Sequence, residues 1–582
     1  MKRETTIALD GKVDRFGIAR LLEETGDFLE LGPERFKAKA YSRGARSLLQ
    51  VGGDLDLLIR QGRLTELGGI GKALASQIEE IHRTGRSSLL EKLRSSYPPG
   101  TLELAQVASL SLAKIKLLSG ELGIKNLAEL KAAAETGKLK GVKGFGPKTE
   151  KAMLASIALL ENSSKRTLLL HALISAGEII QYISLLPDVK RVELAGTARR
   201  FHETVSELVF VASSRAPAAV IGHFLDYPFI SDVKERSPRT CTVKLADSSE
   251  ASLVSSTQAE FPTSLLYATG SAAHVGRLEA IAEAKKLRLT IRNLKPTGGA
   301  KKDLKVKSEA DIYHSLALGY IPPELREDDG EIEAARRGKG FDLVRRDDIR
   351  GLIHCHTTYS DGKHSVEEMA LAAEAMGVDY LTITDHSPTA FYAGGLKLDR
   401  LKAQWEEIDR VQERVKIRLL RGTESDILGD GALDYPDPIL ERFDIIIASI
   451  HARLKMDEDA MTRRVLNAIR QPQFKIWGHP LGRLLERRPP FNCRVEEVLD
   501  AIAESRAAIE INGDPHRLDL EPRWIKEARK RSIKFVISTD AHSMRGLENV
   551  RFGVGIARRG GVRKSEVLNA LAYESFKKAV KP

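Results

Sequence analysis

A chain of 582 residues is too long for one hydrophobic core, and roughly three to five domains are expected. Its composition, 42% hydrophobic and 29% charged, is that of a globular protein, and it contains no run of 18 apolar residues, so we expect no membrane partner. The net charge of +11 lies mostly in residues 1–340, which contain 51 Lys and Arg and 42 Asp and Glu. This basic surplus is consistent with a nucleic-acid partner or with a solvated basic face.

The first residues and the cysteines predict where the protein works. The N-terminal sequence MKRETTIALDGKVDRFG lacks the apolar core of a signal peptide. The three cysteines, Cys241, Cys355 and Cys493, have no paired spacing. Both features predict a cytoplasmic protein.

Two glycine turns interrupt the helical spacing of apolar residues that runs from about residue 14 to residue 158. Each turn is a Gly-x-Gly pair followed closely by a lysine: Gly69, Gly71 and Lys72, then Gly144, Gly146 and Lys148. Glycine allows the backbone to approach a phosphate and to present amide N–H groups at a helix N-terminus. Two such turns predict helix-hairpin-helix motifs that hold the DNA backbone without reading its sequence.

Several stretches along the chain resemble one known family. They are FKAKAYSRGARSL, both glycine hairpins, GTARRFHET at 196–204, LLYATGSAAHVGRL at 265–278 and IPPELREDDGEIEAA at 321–335. Their order resembles that of the bacterial and archaeal family X DNA polymerases with a fused C-terminal PHP (polymerase and histidinol phosphatase) domain. The resemblance implies hairpin domains, a palm, a thumb and a metal-dependent barrel.

The palm is where the sequence departs from the family pattern. Family members follow a G-S-x-R-R motif with a strand that bears two aspartates, because paired carboxylates share two Mg²⁺ ions for nucleotidyl transfer. Here the pair falls on Glu207 and Val209, and the third family aspartate aligns with Ser252. Gln77 stands where some members have a lyase lysine, and an amide forms no Schiff base. We therefore expect a degenerate palm that does not synthesise DNA.

Beyond residue 340, short apolar runs alternate with helical ones. There are seven such runs: GLIHCH, DYLTITD, VKIRLLRG, FDIIIASI, FKIWG, AAIEIN and IKFVIST. Strands alternating with helices predict a parallel sheet, either open or closed. Potential metal ligands end or follow every run except the sixth, which favours a barrel because barrel enzymes place their chemistry at the C-terminal ends of the strands.

Nine ligand-type side chains occupy these strand ends: His354, His356, Asp361, His386, Glu424, His451, His479, Asp540 and His542. Six of the 14 histidines are among them, an arrangement that independent helix caps or surface residues would not produce. The set matches the PHP pattern residue by residue. The resemblance implies a distorted seven-stranded barrel that holds up to three divalent ions.

The expected fold class is multidomain, with all-α helix-hairpin-helix domains, an α+β polymerase-beta-like palm and thumb, and a distorted (β/α)7 PHP barrel. The expected boundaries are 1–90 for the first helical domain, 91–162 for a fingers-like helical domain, 163–256 for the palm, 257–325 for the thumb, 326–345 for a linker and 346–582 for the PHP domain.

Mixed imidazole and carboxylate ligands favour Mn²⁺, with Zn²⁺ and Fe²⁺ as alternatives, over Mg²⁺. Such clusters hydrolyse phosphoesters. We assign the catalytic roles to Glu424, Asp540 and His356, and expect Glu424, the lone glutamate, to bridge two ions. Arg483 and Arg517 follow the fifth and sixth runs, and either could bind a substrate phosphate or form a salt bridge at the barrel rim.

Together these features predict a phosphoesterase that acts on gapped, nicked or 3′-recessed DNA. The resemblance implies 3′-to-5′ exonuclease, 3′-phosphatase or abasic-site endonuclease activity in DNA repair. Three alternatives stay open: a gap-filling polymerase with a palm rebuilt from Glu207 and Asp247, a phosphatase of the histidinol-phosphatase type, and an architectural DNA binder. No oligomeric state is predicted.

Overall fold

The computed structural model describes residues 15–49 and 55–581, apart from 106, 108–109, 143, 147–148, 152, 155, 158–165, 228, 246–248, 298–303 and 339. Lys148 of the second hairpin and Asp247 of the alternative palm site lie outside the described residues. No helix within the described ranges is both long and apolar enough to cross a bilayer.

The N-terminal part is helical, as predicted, and has two separate apolar cores, one within residues 18–90 and one within 104–157. Ser87, Ser111 and Asn126 each cap a helix by accepting a hydrogen bond from a backbone N–H of its first turn. The helices are α1 Arg15–Leu31, α2 Arg35–Leu49, α3 Leu55–Arg60, α4 Lys72–Thr84, α5 Ser88–Ser96, α6 Thr101–Ala105, α7 Leu112–Leu122 and α8 Leu127–Glu135.

A five-stranded sheet follows, with its strands in the order β2, β4, β7, β6, β5. The pair β4 and β7 is parallel, and the other neighbours are antiparallel. The elements of this region are β1 Thr167–Leu168, α9 Leu169–Ser184, β2 Val189–Leu194, α10 Gly196–Arg199, β3 Thr204–Val205, β4 Glu207–Ser214, α11 Pro217–Leu225, β5 Ile230–Arg236, β6 Thr240–Leu245 and β7 Glu250–Ser256.

The next region has its own apolar core, which includes Leu266, Leu278, Tyr313 and Ile332. Its elements are α12 Phe261–Thr269, α13 Ala272–Ala284, β8 Leu287–Leu289, β9 Leu294–Pro296, α14 Glu309–Ser315 and α15 Glu331–Arg336.

All seven predicted C-terminal runs form one parallel sheet whose strands neighbour one another in chain order. The strands are β10 Gly351–Leu352, β11 Tyr380–Ile383, β12 Arg418–Asp426, β13 Ile445–Ser449, β14 Ile476–Trp477, β15 Ala508–Asn512 and β16 Phe535–Ser538. Beyond their ends, Cys355 pairs with Ala541, and the His356 N–H donates to the Ala541 carbonyl at 2.8 Å. These bonds join the first strand to the last, which confirms the predicted barrel.

The helices of the barrel domain are α16 Val366–Ala375, α17 Leu398–Gln412, α18 Asp437–Leu440, α19 Glu458–Ile469, α20 Val495–Glu504, α21 Pro522–Lys530, α22 Val550–Arg559 and α23 Tyr573–Val580. Apolar side chains from the strands, including Ile353, Leu420 and Val536, form one cluster with Phe576 and Val580 of α23. The C-terminal helix therefore packs against the inner core of the barrel.

The palm and the barrel domain share a continuous apolar core. Phe201, between α10 and β3, has its ring centroid 6.3 Å from that of Phe552 in α22. Gly555 lies under the same ring, since a Cβ at this position would fall 2.0 Å from Phe201. The lack of a side chain at residue 555 thus allows the palm to pack closely against the barrel.

Candidate metal centre

The C-terminal rim of the barrel brings the nine predicted ligand residues together. The two histidines after β10, His354 and His356, have their ring centroids 5.2 Å apart. Glu424 lies within β12, and the single histidines His451 and His479 each come two residues after a strand. The remaining members are Asp361, His386, Asp540 and His542.

Three overlapping groups of side chains have ligand atoms within 4.8 Å of one another. They are His356, Asp361, His386 and His542; His354, His356 and Asp540; and His386, Glu424 and His451. His479 belongs to none of these groups, yet its Nε2 lies 2.7 Å from Glu424 Oε1. The groups overlap, since His356 and His386 each belong to two of them.

Glu424 lies at the centre of the cluster, and its two oxygens face different histidines. Oε2 is 3.0 Å from His386 Nδ1 and 3.3 Å from His354 Nε2. Oε1 is 3.2 Å from His451 Nε2 and 2.7 Å from His479 Nε2. One carboxylate therefore connects two sides of the cluster.

Buried imidazole nitrogens without partners show that the cluster fits metal ions. Neither ring nitrogen of His356 has a hydrogen-bond partner among the described residues, and the same holds for Nδ1 of His479. Leaving a buried polar atom unpaired costs about 1–3 kcal/mol. Divalent ions would satisfy these lone pairs, because neutral imidazole and carboxylate oxygen are both common ligands of Mn²⁺, Zn²⁺ and Fe²⁺.

The electrostatics of the cluster act in opposite directions on its histidines. Burial would lower the pKa of His451 and His542, but Glu424 foremost raises it to about 10 at His451, and Asp361 foremost raises it to about 9 at His542. Burial and the neighbouring rings of His542 and His386 lower the pKa of His356 to about 3. Burial alone would raise the pKa of the Glu424 carboxyl, but the surrounding histidines, His451 foremost, hold it well below its usual range. His356 is thus a neutral imidazole near an ionised carboxylate, which is the combination that a divalent ion requires, whereas an ion that binds at His451 or His542 would have to displace a proton.

The backbone is strained at three of the ligand positions. His354, His479 and Asp540 have φ values of 66°, 21° and 48°, a region that residues other than glycine rarely adopt. Each such residue costs of the order of 1–3 kcal/mol, and this strain occurs most often at functional sites. Here the three strained residues lie where the strand ends converge on one rim.

Sequence reasoning missed two carboxylates that orient the ligands. Glu510, within β15, lies 2.5 Å from His354 Nδ1 and also accepts the backbone N–H of His479. Asp426, the last residue of β12, lies 3.0 Å from His451 Nδ1. Carboxylates that hold Nδ1 direct Nε2 toward a metal. The one available signal is the glutamate in the otherwise apolar run AAIEIN.

Asp385, which was not predicted to be a ligand, supports the loop that carries Asp361. It accepts the Thr357 backbone N–H at 2.8 Å and the Gln404 side-chain N–H at 2.5 Å. Its carboxylate oxygens are therefore already occupied by donors from the loop and from α17.

The two arginines considered for substrate phosphate occupy different surroundings. Arg517 Nε lies 3.2 Å from Asp540 Oδ2, and its Nη1 makes no hydrogen bond to a described residue. Arg483 is buried, donates to the Arg517 carbonyl at 2.9 Å and pairs with Glu203 and Glu521. Of the two, only Arg517 reaches the ligand cluster, while Arg483 forms the rim salt bridges that were its alternative role.

The palm has one carboxylate at the three aligned positions. Val209 of β4 lies opposite Ser252 of β7, and the Ser252 hydroxyl donates to Glu207. The methyl groups of Val209 lie against Gly196, where a Cβ would be 3.0 Å from one of them. Among the described residues, no candidate metal group includes Glu207.

Both glycine hairpins contain a left-handed residue. Gly69 has a φ of 87° and Gly144 a φ of 93°. Gly71 precedes α4 in an extended conformation, so the helix begins at the exposed Lys72. After the second turn, Gly146 accepts backbone hydrogen bonds from Thr149 and Glu150, and residues 149–151 are helical. Both turns therefore lead into a helix N-terminus.

Comparisons with known proteins agree with this architecture. Residues 15–87 match the helix-hairpin-helix domain family, residues 264–327 the DNA polymerase beta thumb and residues 353–514 the PHP domain. The DNA polymerase/3′-5′ exonuclease PolX of Bacillus subtilis (strain 168) is 34% identical over 572 residues, which is 97% of this chain and 99% of that protein.

Other relatives match a smaller part of this chain. A probable phosphatase of Thermoanaerobacter sp. (strain X514) is 30% identical over 228 residues, 37% of this chain and 88% of that protein. A probable phosphatase of Acetivibrio thermocellus is 30% identical over 205 residues, 32% of this chain and 78% of that protein. With its hairpins, thumb and ligand cluster, the chain is a DNA-binding enzyme with a metal-dependent hydrolase domain, and it belongs to the family X DNA polymerases that carry a PHP domain.

Proposed function

We propose that this chain is a 3′-to-5′ exonuclease that hydrolyses phosphodiester bonds at gapped, nicked or 3′-recessed DNA in cytoplasmic DNA repair, and that its palm does not polymerise. The observation that carries the proposal is the convergence of nine ligand-type residues around Glu424 at one end of a chain with two hairpins. The Bacillus relative is named as a polymerase and a 3′-5′ exonuclease, and only the second activity is proposed here.

The nine clustered residues would hold up to three divalent ions, with Mn²⁺ as the favoured metal. Bound ions would lower the pKa of water and neutralise the charge of the phosphate oxygens. Glu424 directs one oxygen toward His354 and His386 and the other toward His451 and His479, which suits it to bridge two ion positions.

Other side chains position the substrate and the ligands. Arg517, largely buried beside Asp540, offers donors to a substrate phosphate, and Arg483 holds the backbone of the Arg517 loop. Asp540 Oδ1 lies 3.4 Å from His356 Nε2, so these two residues stand with Glu424 where the reacting phosphate would bind. The hairpins would hold the DNA backbone through their glycines and Lys72.

The loss of polymerase activity is proposed from the palm. A valine cannot ligate a cation, and Glu207 is engaged by the Ser252 hydroxyl. Two-metal stabilisation is worth several kcal/mol, and each 1.4 kcal/mol is about tenfold in rate, so a palm with one carboxylate of three would be slower by orders of magnitude.

A small-molecule phosphatase is the second candidate. It is favoured by the relatives named as probable phosphatases, which match 37% and 32% of this chain. Such an enzyme would have no use for the hairpin domains, the palm and the thumb, which fill the first 340 residues of this chain.

One assay tests both parts of the proposal. The purified full chain is incubated with Mn²⁺, dNTPs and a gapped duplex whose primer strand is labelled at its 5′ end. We expect primer shortening without extension, loss of shortening in His354→Ala, and normal shortening in His314→Ala, which removes an exposed histidine of α14 that is not among the nine cluster residues. Templated extension would refute the palm assignment, and hydrolysis of a free phosphomonoester with none of DNA would favour the phosphatase.

A further inference from the structure

Two adjacent aromatic side chains are exposed on the loop that follows β11. Phe391 is 84% exposed and Tyr392 is 63% exposed, and they are the only exposed aromatic residues in the described part of the barrel domain. Exposed apolar area of this size without a covering element indicates a binding surface. The same loop contains His386, one of the nine cluster residues.

The loop that displays the two rings is tightly held. The Leu396 N–H donates to the His386 carbonyl at 2.8 Å, and the Gly395 N–H donates to the Ala390 carbonyl at 3.1 Å. A Cβ on Gly395 would fall 2.0 Å from the Ser387 carbonyl oxygen, so the chain closes on itself here with no room for a side chain. These bonds fix residues 391–393 in one turn and present both rings outward.

The rings lie at the mouth of the ligand cluster. The Tyr392 ring centroid is 6.5 Å from that of His386, and the Phe391 and Tyr392 rings meet edge to face at 6.0 Å. Burial and the carboxylates of Asp426, Glu424 and Asp361 raise the pKa of the Tyr392 phenol, and Arg517 opposes them, so this ring lies within the field of the cluster. Exposed aromatic faces next to a phosphoester site are features that bind single-stranded nucleic acid.

Burial of the cluster explains why an unpaired base would reach these rings. His354, His356 and Glu424 are almost fully buried, so a scissile phosphate must leave the duplex surface to reach them. The nucleotides that flank it then lose their pairing and their stacking partners. Aromatic side chains at the mouth would replace the lost stacking, and they would do so for any base because every base has a π-face.

We propose that Phe391 and Tyr392 form a stacking platform for an unpaired nucleobase that flanks the scissile phosphate. This inference rests on the proposed DNA hydrolysis and specifies how that site recognises a strand end. The platform would contribute affinity without sequence preference, while Arg517 contacts the phosphate.

The test compares base-bearing and baseless substrates. Full-length protein with Mn²⁺ is assayed on 3′-recessed duplexes that carry either a normal nucleotide or an abasic tetrahydrofuran at the terminal or penultimate 3′ position. For the wild type we expect base removal at one of these positions to raise KM by roughly 5- to 150-fold. The double variant Phe391→Ala/Tyr392→Ala should already have the higher KM on the normal substrate. Removal of the base should raise its KM no further.

Two controls separate stacking from other effects. Tyr392→Phe keeps the ring and should behave like the wild type, as should Leu371→Ala, which removes an exposed side chain from α16. With EDTA present to prevent hydrolysis, the fluorescence of a 2-aminopurine at the same 3′ position should be quenched when the DNA binds the wild type. Binding to the double variant should not quench it. Equal sensitivity of wild type and double variant to base removal, or equal quenching, would overturn the platform alone; absence of DNA hydrolysis by the wild type would overturn the proposed function and the platform with it.

Discussion

Glu203 of the palm is bound to two arginines of the barrel domain: Arg559 Nη1 lies 2.6 Å from its Oε2, and Arg483 Nη2 lies 3.3 Å from its Oε1. Burial alone would raise the pKa of Glu203, but the two guanidinium groups hold it below its usual range. Arg483 also donates to the carbonyl of Arg517, which reaches Asp540 in the ligand cluster. Glu203 is thus connected to the ligand cluster through Arg483 and Arg517.

Glu203→Gln should therefore weaken both the domain contact and the hydrolytic site. The variant removes the negative charge that pairs with Arg559 and Arg483 and leaves Arg483 with Glu521 alone, and we expect a loss of about 1–3 kcal/mol together with a higher KM for DNA. All three tryptophans lie in the barrel domain, so urea unfolding followed by tryptophan fluorescence reports the stability of that domain. Glu333→Gln, which removes an exposed ion pair with Arg277, should change neither quantity; equal effects of the two variants would refute the connection.

Glu510→Gln should lower metal affinity while the fold is retained. Glutamine has nearly the same size but lacks the charge that orients His354, and loss of such an outer-shell carboxylate typically costs 10- to 100-fold in metal affinity. Titration of the metal-free protein with Mn²⁺ measures this. Glu504→Gln, at the exposed end of α20, is the matched control. Unchanged Mn²⁺ affinity in Glu510→Gln would show that His354 needs no such partner.

Some parts of the site could be predicted from the sequence, and others, such as the contacts of Arg483 and Glu510, could not. Ligands at strand ends could be predicted because parallel strands bring their carboxyl ends to one rim. Glu510 lies inside an apolar run, and its contact with His354 depends on strand order and register. Arg483 and Arg517 both follow strands, and what distinguishes them is Glu203, a partner 280 residues away in the chain.

The exposed aromatic pair was missed for a related reason. Phe391 and Tyr392 lie in a loop without regular periodicity, where an apolar residue is as consistent with burial as with exposure. The loop bonds to Ser387 and His386 decide the outcome, and no sequence pattern encodes them.

Removal of metal should destabilise the barrel domain. Ions bound to the folded cluster stabilise it by mass action, by about 2.7 kcal/mol at a free Mn²⁺ concentration 100 times Kd. We expect a lower unfolding temperature after dialysis against EDTA, restored by added Mn²⁺. In Asp540→Ala, which removes a member of the cluster, added Mn²⁺ should produce a much smaller shift. An unfolding temperature that is unaffected by Mn²⁺ in the wild type would contradict a metal centre at this rim.

The arginine motif of the palm should make palm stability depend on pH through Glu327. Arg200 Nε lies 2.8 Å from Glu327 Oε1, and His202 contacts the same oxygen. Burial would raise the pKa of Glu327, but His202 and Arg200 lower it to about 2 from an ordinary value of 4.5. A depressed folded-state pKa means that the ionised carboxylate stabilises the fold above about pH 4.5, and that this contribution disappears as the pH falls toward 2.

Glu327→Gln should accordingly cost about 2–3 kcal/mol at pH 7 and progressively less below pH 4.5. Scanning calorimetry of wild type and variant at pH 7, 5 and 3.5 measures the difference. Glu283→Gln, on the exposed side of α13, should leave the unfolding temperature unchanged at each pH. A cost that stays constant between pH 7 and pH 3.5 would mean that Glu327 acts by packing, not by its charge, and would remove the electrostatic role of Arg200 in joining palm to thumb.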